Sequence, residues 1–554
     1  MRKASLTGLA LAGLLAAGST SAQTLIPIGR PTATVSYSFG FNFSHRIAVS
    51  DSGWMWTILH KVEKNKPDDL VLYFSPDKGR SWLPVPKGST PTSDDYAYAG
   101  LAAGGDCKTL HVAWTAKDPV NKGLSVFYQA FDTKTMRWIG KPLEIAKAAG
   151  PGAQQAQYRY QDINVSPKGR VVISVLGHRN CPAPYNGNWH CAMYVRQPGA
   201  ATFDKPFRFN KSTTGQSAEV CLWGEVIFST SKVSAGPARQ CTFRAYDMDA
   251  KKFIAGPIHV GGTAAGDPQE ATRNSVILPD GKGGVYVFYG IGNRAVAGKG
   301  ELKVAYASSG NYTKWTRSTV AADPSMKGSA SYTHYGMVLL PGNMVMLVYS
   351  KFSESYRNLY FRYMRDGKLL TPEAALFRTA VPGRFTTIVT LKGQDYRAGL
   401  YALVKNKDGR LPGTEVDFLS NAKTAGFGRY LGYGCVGKSK PEPKLAPQVL
   451  PEAGRPFVLE MTGLASGSWG VLLIGANCLG KPLDLTFLGA PGCGVFQDIL
   501  ITMVVASTSG GTAKVSFNLP SSVAGGWIRF QSAALVPGAN QANLLTSRSL
   551  VVYP

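Results

Sequence analysis

Acidic residues and histidines are scarce in this chain. Its 554 residues include 34 aspartates and glutamates against 60 lysines and arginines, and only seven histidines. No histidines stand in an HExxH pattern and no cysteines have CxxC spacing, which excludes the common zinc-binding patterns. The glycine-rich run at 280–284 is not followed by Gly-Lys-Ser/Thr, which excludes a phosphate-binding P-loop. We therefore expect neither a metal ion nor a cofactor.

Long hydrophobic runs are absent after the N-terminus. Arg2 and Lys3 precede an apolar run at 6–17, and small residues follow at 20–22. This order is typical of a secretory signal peptide over residues 1–22, with a buried N-terminal strand as the alternative. The run is too short to span a bilayer. We expect an exported protein without a transmembrane segment, either periplasmic, extracellular or attached to the cell surface.

The excess of positive over negative charge lies almost entirely in the first 450 residues. The formal net charge of the chain is +26, whereas residues 451–554 hold five basic and four acidic residues and contribute only +1. Such a positive field attracts anions. The candidate partners of an exported protein are acidic polysaccharides, sialylated glycans, extracellular DNA and anionic surfaces. No motif supports specific binding of nucleic acid.

Eight cysteines, an even number in an exported chain, predict disulfide bonds. Cys181 and Cys191 flank a loop rich in Pro, Gly and Asn, and Cys221 and Cys241 flank a second loop. We predict that each of these two pairs forms a disulfide. The other four cysteines leave three possible pairings among Cys107, Cys435, Cys478 and Cys493.

Long helical patterns are missing, and short strand-like runs take their place. Between residues 30 and 430 a theme recurs at a period of roughly 50–60 residues: a polar or aromatic cluster, a strand, a turn and further strands. This predicts a propeller, in which antiparallel sheets, the blades, surround a central channel. Seven units are visible, and six blades are the alternative because the fourth unit is weakly marked. The units begin near residues 43, 96, 158, 216, 272, 331 and 383.

The chain is too long for one ordinary core. Residues 438–447 are rich in Lys and Pro, which predicts a linker, and Val-, Leu- and Gly-rich strands follow. We expect an all-β protein. Its parts are a six- or seven-bladed β-propeller at 23–431, a linker at 432–447 and a small β-sandwich at 448–554.

One hairpin turn has a recognisable form. Residues 75–82 read Ser-Pro-Asp-Lys-Gly-Arg-Ser-Trp after an apolar run at 70–74. Asp77 can accept hydrogen bonds from turn amides, Gly79 can take a positive φ, and Trp82 can fold beneath the turn. The octapeptide resembles the Asp-box, or BNR repeat, of sialidase-like propellers. The resemblance implies a propeller and its class of ligands, although the Asp-box itself catalyses nothing.

Propellers bind ligands at the end of the channel where the innermost strands and their loops meet. The unit starts repeatedly supply Arg, His and Tyr to that end. An arginine pairs bidentately with a carboxylate or a sulfate. The predicted substrate-binding residues are Arg46, Arg159, Arg179, Arg273, Asn274 and Arg384.

The third unit runs from Tyr-Arg-Tyr at 158–160 through a Gly turn to Gly-His-Arg-Asn at 177–180. This layout resembles polysaccharide lyases of the BNR type, such as ulvan lyases. The resemblance implies β-elimination, in which His and Tyr transfer the protons and Arg neutralises a uronate carboxylate. His178 would match the second-strand histidine of that family, and His334-Tyr335 is the alternative acid–base pair. The candidate catalytic residues are His178, His334, Tyr335 and Tyr160.

Two other functions stay open. A sialidase-like hydrolase needs three arginines on a carboxylate, for which Arg159, Arg273 and Arg384 are candidates, with Glu219 near them. The sequence does not identify its tyrosine nucleophile, and carboxylates are rare at the unit starts, which also disfavours a two-carboxylate glycosidase. The third hypothesis is a non-catalytic glycan-binding or cell-surface protein.

The C-terminal region has a resemblance of its own. It contains Gly-Tyr-Gly-Cys at 432–435, Pro-Leu-Asp-Leu at 482–485, Gly-Ala-Pro-Gly-Cys at 489–493 and Pro-Gly-Ala-Asn at 537–540. These runs resemble an accessory domain of exported proteins from Planctomycetes-like and other environmental bacteria. The resemblance implies a structural or surface-associated role. The sequence does not indicate an oligomeric state.

Overall fold

The structure is a computed structural model. It describes residues 24–29, 45–50, 52–61, 69–91, 99–104, 106, 108–117, 123–148, 157–179, 181, 190–209, 216–235, 238–292, 299–326, 334–380, 382–383, 385–393, 396–398, 400–406, 415–420, 427–431, 435, 443–486, 490, 493–523, 527–536 and 543–554. A search of these residues finds no helix that is long and apolar enough to cross a membrane.

Seven blades of antiparallel strands are present in the described residues, numbered here in chain order. Blade 1 consists of β2 (Ile47–Val49), β3 (Met55–Lys61), β4 (Asp69–Ser75) and β5 (Leu83–Pro91). Blade 2 consists of β6 (Ala99–Ala103), β7 (Thr109–Lys117), β8 (Leu124–Asp132) and β9 (Arg137–Ala146). Blade 3 consists of β10 (Gln157–Val165), β11 (Val171–Arg179), β12 (His190–Arg196) and β13 (Phe207–Arg208).

The remaining four blades follow the same plan. Blade 4 consists of β14 (Gln216–Trp223), β15 (Val226–Ala235), β16 (Ala238–Asp247) and β17 (Lys252–Gly261). Blade 5 consists of β18 (Glu270–Pro279), β19 (Val285–Gly292), β20 (Glu301–Ala307) and β21 (Thr316–Ala322). Blade 6 consists of β22 (Tyr335–Leu340), β23 (Met344–Tyr349), β24 (Leu359–Arg365), β25 (Lys368–Leu369) and β26 (Ala374–Phe377). Blade 7 consists of β27 (Thr387–Thr390), β29 (Tyr401–Asn406), β30 (Glu415–Ser420) and β1 (Thr24–Gly29).

Seven hydrophobic clusters close the blades into a ring. Clusters join blades 1 and 2, 2 and 3, and 3 and 4. Others join blades 4 and 5, 5 and 6, and 6 and 7. A seventh cluster joins blade 7 back to blade 1. The all-β expectation is therefore confirmed, and the propeller has seven blades.

Inner strands such as β19 are more deeply buried than the outermost strands β9 and β17. Every residue of β19, with the sequence Val-Tyr-Val-Phe-Tyr-Gly-Ile-Gly, is buried, because neighbouring blades cover both of its faces. Half of the residues in each of the outermost strands β9 and β17 are exposed, including Arg137, Lys141 and Lys252. Charged, exposed outer strands protect the rim against edge-to-edge pairing.

The N-terminal strand completes blade 7. β1 pairs antiparallel with β30, with Thr24 opposite Ser420 and Ile26 opposite Phe418. The last blade is thus assembled from both ends of the propeller sequence. Such a closure ties the first strand of the ring to the last blade through backbone hydrogen bonds.

The turn at 75–82 has the local geometry that its sequence predicts. Asp77 accepts hydrogen bonds from the Ser81 amide at 2.8 Å and the Ser81 hydroxyl at 2.7 Å. The Gly79 amide donates to the Ser75 hydroxyl at 2.7 Å, and Gly79 has a φ of 89°. Trp82 is 9% exposed and packs in the cluster between blades 1 and 7. The turn therefore anchors one hairpin of blade 1.

The C-terminal sandwich contains three sheets. The largest comprises β28 (Tyr396–Ala398), β31 (Phe427–Leu431), β34 (Trp469–Gly475), β37 (Ile501–Ala506), β39 (Ile528–Val536), β40 (Asn543–Thr546) and β41 (Ser549–Tyr553). The second comprises β32 (Lys444–Pro447), β33 (Pro456–Thr462) and β38 (Ala513–Asn518), and a small third sheet comprises β35 (Cys478–Asp484) and β36 (Gly494–Gln497). Four short 3-10 turns complete the described structure: Thr263–Ala265, Pro341–Asn343, Phe352–Glu354 and Ser521–Val523.

The two larger sheets enclose one apolar core. Leu459 and Met461 of β33 pack with Leu472 of β34 and Phe530 of β39. The domain limits of the sequence analysis stay a prediction, but two segments pair differently from what those limits suggest. β32, at the end of the expected linker, pairs with β33. β28 and β31, inside the expected propeller range, belong to the large sheet of the sandwich.

The C-terminal strand also contacts the propeller. Tyr553 of β41 is 2% exposed and packs between blades 1 and 7 with Met55 and Tyr401. Its hydroxyl donates a hydrogen bond to the Ser50 carbonyl at 3.2 Å. A side chain at Gly53 would meet the Tyr553 ring at 2.6 Å, so this approach requires glycine. The strand β41 therefore packs over the contact between blades 7 and 1, where the ring closes.

The prediction of two disulfides in blades 3 and 4 is wrong for this structure, which has these four cysteines as thiols. Cys221 lies opposite Phe228 and Cys241 opposite Lys232, so the strand β15 separates the two cysteines. Strands two places apart are roughly 9–10 Å from each other, beyond the distance of about 7 Å that a disulfide spans between Cα atoms.

The sheet of blade 3 separates the two cysteines of the first predicted pair, Cys181 and Cys191. Cys181 packs in the cluster between blades 2 and 3, together with Ala192. Cys191 adjoins Ala192 in β12, and its side chain points to the opposite face because side chains alternate along a strand. Among the four cysteines whose pairing was left open, Cys435 and Cys493 form a disulfide.

We predict that Tyr553→Ala destabilises the propeller although residue 553 lies in the sandwich. Removing a buried ring leaves a cavity, which costs about 3–5 kcal/mol of unfolding free energy. Tyr553→Phe is the matched control, since it keeps the ring and removes the hydroxyl that donates to Ser50, a hydrogen bond worth about 1 kcal/mol. Guanidinium unfolding followed by tryptophan fluorescence measures both. Equal stability of the Ala variant and the wild type would contradict the anchoring role.

Candidate functional site

The backbone register brings two of the predicted segments together in blade 3. Gln157 lies opposite Arg179, Tyr158 opposite Gly177, and Arg159 opposite Leu176. The start of β10 and the end of β11 therefore share one end of the blade. The backbone of His178 and Arg179 lies across from Gln157 and Tyr158, which directly precede Arg159 and Tyr160 in β10.

The innermost strands of the other blades begin at this same end, because every blade repeats the same antiparallel order. Arg273 and Asn274 lie in the first half of β18, and His334 directly precedes β22. The structure does not describe the side chains of five predicted site residues: Arg159, Tyr160, His178, Arg179 and Arg273. Arg384 lies wholly outside the described residues. Their functional roles stay predictions.

His334 is fully buried. Its Nε2 atom is 3.7 Å from an Asp323 carboxylate oxygen, and both side chains are 0% exposed. The ring packs against the rings of Tyr335 and Tyr356, with centroids 5.4 Å and 5.0 Å apart. Burial lowers the pKa of His334, and Asp323 partly offsets this effect. In this arrangement His334 links blades 5 and 6 and does not reach solvent.

The other described candidates are also buried. The Tyr335 hydroxyl donates to the Asn274 carbonyl at 2.5 Å, which ties blade 6 to blade 5. Arg46 is 0% exposed, and its Nη1 atom lies 3.5 Å from the Ile58 carbonyl within blade 1. These contacts hold the blades together. Binding of a ligand at the end of the channel would therefore fall to the remaining candidates.

A buried carboxylate connects three blades across the channel. Asp162 of β10 accepts hydrogen bonds from the His45 ring at 2.7 Å and the His45 amide at 2.9 Å. Its other oxygen accepts from the Val220 amide of β14 at 3.1 Å. Asp162 itself is 0% exposed. Because a buried carboxylate is costly without partners, these contacts fix the relative positions of blades 1, 3 and 4.

A buried ion pair joins two further blades. The Nζ atom of Lys392, which follows β27, lies 2.5 Å from a Glu219 oxygen in β14, and both side chains are 1% exposed. Burial raises the pKa of Glu219, while Lys392 acts in the opposite direction. The sequence pattern did not predict this contact, because Lys392 lies 173 residues from Glu219 in the chain. Only the ring brings blades 4 and 7 to the same point.

The space around this polar core is small. His45, Asn164 and Lys392 line a cavity of about 30 Å³ between the innermost strands. Such a volume suits a water molecule and is far smaller than the roughly 300 Å³ needed for a small-molecule ligand. A sugar therefore cannot bind at this depth of the described channel. In the described part of the chain, no group of three or more metal-ligating side chains is clustered.

A larger cleft lies at the opposite end of the propeller, against the sandwich. Its volume is about 770 Å³, and its walls include the turns that follow β10, β14 and β18. Lys444 of the sandwich lies 5.6 Å from the Trp223 ring centroid. Arg170 pairs with Glu225 at 3.0 Å and Asp249 at 2.7 Å beside it. None of the predicted site residues lines this cleft.

Solved structures with similar folds come from proteins of different activity. An ulvan lyase of polysaccharide lyase family PL25, bound to -[GlcA(1-4)Rha3S]-, is 11% identical with a TM-score of 0.46, covering 72% of this chain and 96% of that chain. Trypanosoma rangeli sialidase with the inhibitor DANA is 10% identical with a TM-score of 0.39, covering 96% of each chain. Hydrazine synthase of Kuenenia stuttgartiensis is 12% identical with a TM-score of 0.38, covering 69% of this chain and 97% of that chain.

At such identities the likeness concerns the fold alone and says nothing about activity. No protein-family model and no curated protein matches the sequence.

We predict that Lys392→Met destabilises the propeller in a pH-dependent way. The variant leaves Glu219 buried without its cation, so the pKa of Glu219 rises further. The folded state then keeps a proton that the unfolded chain releases near its ordinary pKa of about 4.3. Stability therefore falls as the pH rises above this value.

The expected loss is about 3–5 kcal/mol near neutral pH, and it is smaller at acidic pH. Guanidinium unfolding at acidic and slightly alkaline pH measures it. The double variant Lys392→Met/Glu219→Gln is the control and should recover part of the stability, because it buries no unpaired charge. A loss that is independent of pH and is not recovered by the second change would contradict the role of the ion pair.

Proposed function

We propose that this protein is an exported propeller that binds an acidic polysaccharide at the channel end where the innermost strands begin. We further propose that it cleaves the polymer by β-elimination at a uronate. The register of blade 3 is the observation that most supports the proposal. Gln157 lies opposite Arg179 and Tyr158 opposite Gly177, so the backbone of His178 and Arg179 lies across from residues 157–158, which directly precede Arg159 and Tyr160 in β10.

The charge distribution also favours an anionic ligand. The chain carries a net charge of +26, of which residues 451–554 supply only +1, so the propeller holds nearly all of the excess. A positive field concentrates anionic polymers and speeds their encounter with the protein. Arg159, Arg179 and Arg273 belong to strands at the channel end.

The proposed reaction needs three kinds of group. His178 takes the proton from the carbon next to the uronate carboxylate, and an arginine neutralises that carboxylate and makes the proton more acidic. The electron pair of the broken C–H bond forms a C=C double bond as the glycosidic C–O bond breaks. Tyr160 gives its proton to the leaving oxygen. The products are an unsaturated uronate and a new sugar end.

His178 is preferred to His334 as the base. His334 is 0% exposed and lies beside Asp323, so it has no path to a polymer in this structure. The alternative sialidase-like mechanism receives less support, because Glu219, its candidate carboxylate, is enclosed with Lys392. A carboxylate held by a buried lysine is unavailable to activate a nucleophile in the channel mouth.

Three further parts of the proposal rest on sequence. Residues 1–22 serve as the signal peptide, which implies that the mature protein is secreted. The turn at 75–82 is an Asp-box, in agreement with the Asp77 and Gly79 contacts that hold it. The C-terminal sandwich is a structural or surface-associated accessory domain.

We predict that the mature protein releases unsaturated uronates from at least one of ulvan, pectate and glycosaminoglycans, seen as new ultraviolet absorbance. General acid–base catalysis contributes about 10²–10⁴-fold, so His178→Ala should lower kcat by at least about 100-fold. Arg159→Ala should weaken binding as well as turnover, since it removes a contact to the carboxylate. The control is Arg137→Ala, an exposed arginine at the far end of blade 2.

Each outcome decides part of the proposal. Salt-sensitive binding of these polymers without any new absorbance would leave a glycan-binding protein and reject the lyase reaction. Cleavage of a fluorogenic sialoside in place of the uronates would favour the sialidase-like alternative. Absence of both binding and cleavage, or equal effects of Arg137→Ala and Arg159→Ala, would reject the proposed site.

A further inference from the structure

Among the described strands of the sandwich, β37 is an edge strand. One side of β37 pairs with β34, from Trp469 opposite Ala506 to Ile474 opposite Ile501. No strand of the described residues pairs with its other side. The free backbone groups of such an edge are a template for another strand.

The side chains around this edge are apolar and exposed. Leu500 and Val504 are each 66% exposed, Ile501 is 56% exposed and Ile499 is 49% exposed. Trp469 on the neighbouring strand is 60% exposed. Large apolar side chains that are exposed together on a folded protein mark an interaction surface.

The edge lacks the features that protect the other rims of this molecule. The outer strand β5 contains three prolines, and the exposed outer strand β9 contains Arg137 and Lys141. Between Asp498 and Lys514 the sequence has no charged residue and no proline. The sandwich edge therefore permits strand pairing, whereas charge or proline discourages it on these propeller rims.

We propose that a second copy of this chain covers β37, by antiparallel pairing of the two β37 strands around a two-fold axis. The distribution of net charge along the chain favours the sandwich as the surface where two copies meet. Two copies with a charge of +26 each repel one another through their propellers, but residues 451–554 carry only +1. The sandwich is thus the region where two copies approach with the least repulsion.

The strand is also complementary to itself. Met503 and Val505 face the core of the sandwich, so Leu500, Thr502, Val504 and Ala506 face outward. A two-fold axis at Met503 sets Val504 of one copy opposite Thr502 of the other and keeps both outward faces on the same side. Asp498 then lies opposite the uncharged Thr508. A symmetric pairing of this kind closes on itself and stops at a dimer.

Sedimentation velocity of the mature full chain tests the proposal, over about 1–100 μM because a strand-edge interface is small. The wild type should shift from monomer to dimer with concentration, more readily at high salt, which screens the repulsion between propellers. Val504→Lys should weaken dimerisation at least about tenfold, because it places two cations in the interface. Ile139→Lys is the matched control, since Ile139 is 46% exposed on blade 2, and it should dimerise as the wild type does.

A second measurement needs no variant. The outer amides of β37 should exchange hydrogen more slowly as the concentration of wild-type protein rises, while those of β9 should not change. A wild type that stays monomeric throughout, or Val504→Lys that dimerises as well as Ile139→Lys, would overturn the proposal. Concentration-independent exchange in β37 would overturn it as well. In that case a different partner strand or an apolar surface would cover the edge.

Discussion

Two buried polar contacts across the channel constrain the whole propeller. Asp162 joins blade 3 to His45 at the start of blade 1, and Glu219 joins blade 4 to Lys392 in blade 7. Each contact connects blades that are not neighbours in the chain, so each forms only when those blades are assembled around the channel. Because buried charges are costly alone, ring closure and neutralisation of the channel depend on each other. β1 and Tyr553 then reinforce the closing join from outside.

This arrangement decides where a ligand can bind. Among the described residues, the innermost strands surround a cavity of about 30 Å³, which is too small to hold a sugar. The proposed function therefore assigns binding to the channel end, because propeller ligands bind on loops that a rigid scaffold positions. The sandwich covers the opposite end and forms a separate cleft there. In the proposed function, the buried core holds the blades together and the channel end binds the ligand.

Features that depend on neighbouring residues were predictable from the sequence. The contacts of Asp77 in the 75–82 turn lie within five residues, and the recurring unit starts correspond to the innermost strands. Features that depend on contacts between residues far apart in the chain were not predictable from the sequence. Loop length suggested a disulfide between Cys221 and Cys241, but an intervening strand separates them. His334 stood at a promising repeat position, yet Asp323 of the preceding blade holds it in the interior.

The position of a bound uronate oligosaccharide in a crystal of the complex tests the central claim most directly. The proposed function requires the sugar carboxylates to lie at the starts of β10 and β18, within ion-pairing distance of Arg159, Arg179 or Arg273. Sugar bound in the cleft between Trp223 and Lys444, or remote from the innermost strands, would contradict it.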